Sequence, residues 1–159
     1  MNKAYLLLGG NMGNPETQLA LAEEKIRERI GQVSSGSSLY RTAAWGDTEQ
    51  PDFVNKAILL ETGKDAGEIM KSILEIEESM GRKRTVKNAP RIIDIDILLF
   101  NEEIHNDPSL QIPHPFLKER RFALEPLNEI AGDAVDPREG KTVAQLLQEC
   151  PDPLPVKKI

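Results

Sequence analysis

One cysteine, Cys150, is all the chain has, so no internal disulfide can form. That excludes the disulfide-stapled scaffolds of small secreted proteins and fits a reducing compartment. Long apolar runs are missing as well. The stretch Ala4 to Leu8 is five residues long, and Gly9 and Gly10 stop it. Five residues are too few for a signal-peptide core and far too few to cross a bilayer. Nor is there an excess of positive charge: the formal net charge is −6, which argues against general nucleic-acid binding. Internal repeats and linkers are also lacking. With 159 residues, 39% of them hydrophobic and 29% charged, the chain suits one soluble domain spanning 1–159. A domain of that size buries roughly two-thirds of the surface exposed by its unfolded chain, so no staple is needed. The expectation is a cytoplasmic monomer with neither a nucleic acid nor a membrane as partner.

What is present begins with the pattern of elements. Tyr5 to Leu8 reads as a strand. Leu19, Ala22, Ile26 and Ile30 recur at helical spacing, which predicts a helix over about 16–30, stopped by Gly31. Val33 to Arg41 and Phe53 to Glu61 read as strands, the second with Val54, Ile58 and Leu60 on one face and Phe53, Asn55 and Ala57 on the other. Ile69, Ile73, Ile76 and Met80 predict a second helix over about 66–80, with Gly81 as its cap. Ile92 to Phe100 is the strongest strand, and a short return strand is expected around Ile104. Helices are expected again over 119–131 and 142–149, and the proline-bearing tail from Pro151 is expected to be irregular. The order β-α-β-β-α-β predicts an α+β, ferredoxin-like sandwich: a mostly antiparallel sheet, helices on one face, extra helices after it.

Two glycine-bearing stretches resemble phosphate-binding motifs and fail on spacing. Gly9 to Asn14 lacks the G-x-G-x-x-G pattern and a later ribose-binding acid, so it reads as a tight turn. Gly140-Lys141-Thr142 has Val135 where a P-loop needs glycine, and reads as a turn with Thr142 capping the last helix.

Chemistry concentrates in Arg91-Ile92-Ile93-Asp94-Ile95-Asp96-Ile97-Leu98-Leu99-Phe100. Side chains alternate along a strand, so Ile93, Ile95, Ile97 and Leu99 should form an apolar core face. Asp94 and Asp96 then share the opposite face, roughly 6–7 Å apart by strand geometry. Their repulsion is about 2–3 kcal/mol at an effective dielectric near 20. A solvated face would tolerate that, and so would a face that binds a divalent cation. The neighbouring charges favour the cation. Arg82, Lys83, Arg84, Lys87 and Arg91 put five positive charges into ten residues just before the strand. Hard carboxylate oxygens suit Mg²⁺, and Mg²⁺ beside arginines suits a polyphosphate. This points to metal-assisted phosphoryl or nucleotidyl transfer, with an ordinary ATP kinase, a nucleotidyltransferase and a regulatory binding module all open at this stage.

The segment from Lys87 to Leu98 closely resembles the signature of the 6-hydroxymethyl-7,8-dihydropterin pyrophosphokinase family. Further stretches resemble it in the same order: Gly9 to Gly13, Tyr40-Arg41-Thr42, Gln50 to Asn55, and Ile112-Pro113-His114-Pro115 followed by Arg120 and Phe122. The resemblance implies diphosphate transfer from ATP to the hydroxymethyl group of the reduced pterin, releasing AMP, as a step of folate biosynthesis. It implies two Mg²⁺ ions held by Asp94 and Asp96, with Arg82 and Arg91 as catalytic arginines that also meet ATP. It places Arg84, His114 and Arg120 at nucleotide or phosphate oxygens and Ile97 at the adenine. Thr42, Trp45, Phe53, Asn55 and Phe122 would hold the pterin, the two phenylalanines by stacking and Asn55 by its amide. The chain departs from some members at three places: no aromatic in 85–89, Ser109 in place of an arginine, and Pro115 in place of a tyrosine. The loops around Trp45 and from Arg82 to Pro90 are expected to close over substrate.

Overall fold

The computed structural model describes residues 1–43, 50–82 and 90–159. Trp45, Lys83, Arg84 and Lys87, and with them most of both loops expected to close, lie outside the described residues.

Strand β1 (Asn2–Gly10) buries Ala4, Leu6 and Leu8 on one face and Leu7 on the other. Helix α1 (Pro15–Arg29) starts where the Asn14 side chain accepts the N–H of Thr17 and where proline, which needs no hydrogen-bond partner for its nitrogen, takes the first position. Leu19, Ala22 and Ile26 make its buried stripe. The region 33–41, expected as one strand, is two: β2 (Gln32–Gly36) and β3 (Tyr40–Thr42), both paired with β4 (Phe53–Thr62). Helix α2 (Ala66–Ser79) opens on a reciprocal cap in which Asp65 accepts from Glu68 N–H and Glu68 accepts from Asp65 N–H.

Strand β5 (Asp94–Phe100) pairs with β1, and β1 also pairs with β4. Every pair is antiparallel, and the main sheet runs β10 (Val156–Lys158), β3, β4, β1, β5, with β2 also on β4. Strand β4 thus sits between the two strands joined by α1, and β1 between the two joined by α2. That is the split βαβ arrangement of a ferredoxin-like sandwich.

The later elements are a hairpin, β6 (His105–Asp107) with β7 (Leu110–Ile112), helix α3 (Arg121–Ala131), a two-residue ribbon, β8 (Val135–Asp136) with β9 (Lys141–Thr142), helix α4 (Val143–Gln148) and strand β10 (Val156–Lys158). The return strand near Ile104 therefore pairs within its own hairpin and not with the main sheet. Helices α1 and α2 cover one face of the sheet, with Ile58, Ile69, Ile73 and Ile95 in that core. Helices α3 and α4 cover the other, packing Leu124, Leu127 and Val143 on Leu7 and Ala57.

Three local expectations change. Gly9 and Gly10 end β1 and are not turn residues. The tail from Pro151 is not all irregular, because β10 joins the sheet on β3. Leu99 leaves the face it was expected to share with Ile97: Tyr5 lies opposite Leu99 but Leu6 opposite Ile97, so Leu98 is an extra residue in β5. That bulge turns Leu99 toward α3 and brings Phe100 into the α1–α2 core.

Candidate active site

The bulge lies after the two aspartates, so the alternation that precedes it is intact. Ile93, Ile95 and Ile97 point into the core under α1 and α2, and Asp94 and Asp96 point the other way. There they line a cleft with Thr42, Phe53, Asn55, Arg91, Arg120 and Phe122, over a floor that includes Leu7 and Gly9. Eight residues far apart in sequence meet because β1 carries β4 on one side and β5 on the other. Helix α3 closes the cleft from the far wall.

Gly9 is fixed by close approach. A Cβ there would fall 2.2 Å from Asn55 Oδ1, and one at Gly10 would fall 2.3 Å from the Ile92 carbonyl oxygen. Only a residue without a side chain lets the Asn55 amide lie across β1. Asn55 is 4% exposed, so its amide is held rather than free to sample solvent.

Asp94 is doubly paired. Arg82 Nη1 is 2.5 Å from Oδ1, and Arg91 Nη1 is 3.0 Å from Oδ2. The same Arg82 nitrogen is 2.8 Å from Glu77 Oε2, and Glu77 Oε2 also accepts the N–H of Ile95 at 2.8 Å. Burial works against the charge on Arg82, but Asp94 and Glu77 outweigh it and raise its pKa. Asp96 has no hydrogen-bond partner among the described residues. Burial, then the charge of Asp94, pushes its carboxyl well above the ordinary carboxylate range. A nearby cation reverses both effects, which is a fit to a dication site on chemistry alone. Among the described residues, no group of three or more His, Cys, Asp or Glu side chains converges. A metal at Asp94 and Asp96 would therefore complete its shell with phosphate oxygens and water, as Mg²⁺ commonly does.

Arginines also lie over both aromatic walls. Arg91 Cζ is 5.6 Å from the Phe53 ring centre, and Arg120 Cζ is 5.6 Å from that of Phe122. Arg120 has a second ring, Phe116, at 5.2 Å. A smaller cavity beyond Asp96 is lined by His114, Arg120, Leu98 and Leu117. His114 N–H donates to Leu98 O at 3.2 Å, and its Nδ1 accepts from Phe116 N–H at 3.2 Å. Burial and then Arg120 lower its pKa to about 4, which makes it a neutral ring with its proton on Nε2 near pH 7.

The chain matches, over residues 5–132, the family model described as 7,8-dihydro-6-hydroxymethylpterin-pyrophosphokinase. The chain belongs to that family. Among its relatives is the 2-amino-4-hydroxy-6-hydroxymethyldihydropteridine pyrophosphokinase of Methylorubrum extorquens, 39% identical over 160 residues, covering 100% of this chain and 99% of the relative. The Bacillus subtilis protein of the same name is 39% identical over 130 residues, 81% of this chain and 78% of its own length. A solved Plasmodium falciparum HPPK-DHPS chain with pterin and p-hydroxybenzoate superposes with a TM-score of 0.75 at 18% identity, which speaks to the fold. That match covers 93% of this chain and 43% of the Plasmodium chain, so this chain spans less than half of the solved one.

Against the pyrophosphokinase pattern, the described residues bring together Arg82, Arg91, Asp94, Asp96, His114, Arg120, Thr42, Phe53, Asn55 and Phe122. Ile97 is different: its side chain is 3% exposed in the α1–α2 core, across the sheet from the cleft. An adenine on the cleft side could meet only its backbone. Arg84 and Trp45 lie outside the described residues.

Two residues were missed. Glu77 carried a readable signal, since 69, 73 and 77 are a helical row and a carboxylate on the apolar side of α2 needs a partner. Asn11 carried none beyond its place after two glycines. It is 2% exposed, accepts from Arg91 N–H at 3.0 Å, and donates to Gln50 Oε1 and Pro51 O at 2.7 and 3.0 Å. It thereby fixes the backbone on which Arg91 is mounted.

Proposed function

We propose that the chain transfers diphosphate from ATP to the hydroxymethyl oxygen of 6-hydroxymethyl-7,8-dihydropterin, giving the pterin diphosphate and AMP in folate biosynthesis. The observation that carries this reading is one cleft holding two neighbouring carboxylates, two arginines and a slot with aromatic and amide walls. The first pair suits a dication on a triphosphate, and the slot suits a flat heteroaromatic ring.

Asp94 and Asp96 would hold two Mg²⁺ ions, whose chemistry is to polarise phosphate oxygens and to lower the pKa of an attacking hydroxyl. Phe53 and Phe122 stack the pterin, and Asn55 pairs with its donor and acceptor edge while Thr42 borders it. Arg82 and Arg91, now paired to Asp94, carry fixed charge toward negative charge that builds on the transferred group. Arg120, held against two phenyl rings, faces both cavities and suits a phosphate oxygen. Neutral His114 suits donation from Nε2 to a nucleotide oxygen, with Arg84 and the Ile97 backbone completing the ATP contacts and Trp45 the pterin contacts.

The same reading makes the chain a single 1–159 domain acting as a cytoplasmic monomer, with neither nucleic acid nor membrane as a partner. Among the described residues no helix is long and apolar enough to cross a membrane. The test is incubation with ATP, Mg²⁺ and the reduced pterin alcohol. AMP as product supports the reading. ADP would mean an ordinary kinase, and free diphosphate a nucleotidyltransferase.

A further inference from the structure

The segment 150–159 touches both walls of the pterin slot. At the α3 wall, Asp152 is 4% exposed, and its Oδ2 accepts the N–H of Arg121 at 3.1 Å. Arg121 answers with its side chain: Nε donates to the Asp152 carbonyl and Nη2 to the Cys150 carbonyl, each at 3.1 Å. Arg121 stands between Arg120 and Phe122, two residues that line the cleft. At the β3 wall, Thr42 Oγ1 donates to the Pro155 carbonyl at 3.2 Å, and Val156 pairs opposite Thr42.

Three features make this connection stiff. Asp152 Oδ1 accepts the N–H of Leu154 at 3.0 Å, which fixes its carboxylate in a local turn. Pro153 and Pro155 each lock a backbone angle between the two attachment points. And α3 has no side-chain cap from its own N-terminal neighbour, Arg120, so an N–H at its start depends on Asp152 for an acceptor. A short, proline-stiffened segment thus bridges the two walls, in addition to the core packing of α3 on the sheet.

We infer that Asp152 is a positioning residue for the pterin slot, acting through Arg121 to hold Phe122 on one wall at a fixed distance from Thr42 on the other. This rests on the proposed assignment of that slot to the pterin. Asp152 touches no substrate; it holds the backbone that presents Phe122. Without its carboxylate, the first turn of α3 is tied to the segment only through the Arg121 side chain and the backbone carbonyls it holds, and the aromatic wall is held less closely to the thickness of a pterin ring.

The experiment is equilibrium binding of 6-hydroxymethyl-7,8-dihydropterin to the full chain, measured by calorimetry well below the melting temperature. Asp152→Ala should weaken binding about tenfold, the equivalent of one lost cap. Asp152→Asn, which keeps one of the two acceptor oxygens and can still take the Arg121 N–H, should recover part of the affinity. A purely structural role would lower the melting temperature and leave the dissociation constant of the folded variant unchanged, and that result would overturn the inference. If Asp152→Ala does not fold, Arg121→Met is read in the same way, since it cuts both bonds to the segment's carbonyls and spares the cap. Wild-type binding with unchanged variants would remove the positioning role alone. Failure of the wild-type chain to bind the pterin would remove the slot assignment with it.

Discussion

Arg91 Nη1 lies 3.0 Å from Asp94 Oδ2, on the opposite carboxylate oxygen from the one held by Arg82. Both guanidinium groups are therefore ordered next to the place where phosphate charge would build, at 24% and 14% side-chain exposure. Their charge is already oriented and costs no rearrangement of solvent. Arg82→Ala or Arg91→Ala should lower kcat by about 10²- to 10³-fold, the usual effect of deleting one such donor. The dissociation constant for the pterin should move much less. Steady-state kinetics beside calorimetric binding separates the two, and an unchanged kcat in Arg82→Ala would reduce Arg82 to a structural partner of Glu77.

Asp96 predicts a conflict between stability and activity. Burial and then Asp94 raise its pKa in the folded chain. The folded state therefore keeps this proton at pH values where the unfolded chain has released it. Folding stability falls as pH rises above the ordinary carboxylate value, until the raised pKa is passed. Asp96→Asn removes that penalty, so the metal-free variant should be more stable than the wild type near pH 8 by about 1–2 kcal/mol. It should also lose turnover. Calorimetric melts in chelator test the first half. Added Mg²⁺ should raise the melting temperature of the wild type and leave that of Asp96→Asn nearly unchanged, by linkage.

Much of this site was legible because strand alternation is a strong rule over short distances. Residues 93–97 and 53–57 sort to the faces that their pattern predicts, which groups Asp94 with Asp96 and Phe53 with Asn55; the two pairs meet on one side of the sheet because β1 pairs with both strands, with Gly9 opposite Asn55 and Asp94. The rule failed at Leu99, where one extra residue in β5 reverses the faces, and nothing in a row of apolar side chains marks a bulge. The docking of β10 was also hidden. A segment with three prolines carries no strand signal, and its pairing depends on β3 offering a free edge. The buried partners of the arginines belong to tertiary structure: Asn11 is 80 residues from the backbone it fixes.

Gly9 and Asn55 give a prediction about the pterin edge. A methyl group at position 9 would meet Asn55 Oδ1 at 2.2 Å, well inside contact distance. The amide must swing away or the strands must part. Gly9→Ala should therefore weaken pterin binding and cost about 1–3 kcal/mol of stability, as overpacking commonly does. Asn55→Ala should weaken pterin binding at least as much, roughly 10- to 100-fold, because the ring edge then loses its paired donor and acceptor. Its effect on stability should be smaller, since no atom is forced out of place. Titration of both variants with the reduced pterin, alongside urea unfolding, checks the pair. A Gly9→Ala variant that binds pterin as the wild type does would mean that the amide is not the recognition group.

His114 should reveal itself through acid. Burial and Arg120 lower its pKa to about 4, and Nδ1 is already occupied as the acceptor from Phe116 N–H. Protonating that nitrogen would break the bond and place a second positive charge beside Arg120. The unfolded chain takes up the same proton near pH 6.5. Between those values the unfolded state binds more protons, so stability rises with pH and is lost as pH falls from about 6.5 toward about 4. The span amounts to roughly 2–3 kcal/mol from this residue alone. Unfolding midpoints at pH 7 and pH 5 should differ more in the wild type than in His114→Asn, whose amide oxygen can accept from Phe116 without titrating. Proton NMR of the ring should give a midpoint close to 4. A midpoint near 6.5 would mean that the ring is solvated, and its proposed role as a fixed, neutral donor to the nucleotide would go with it.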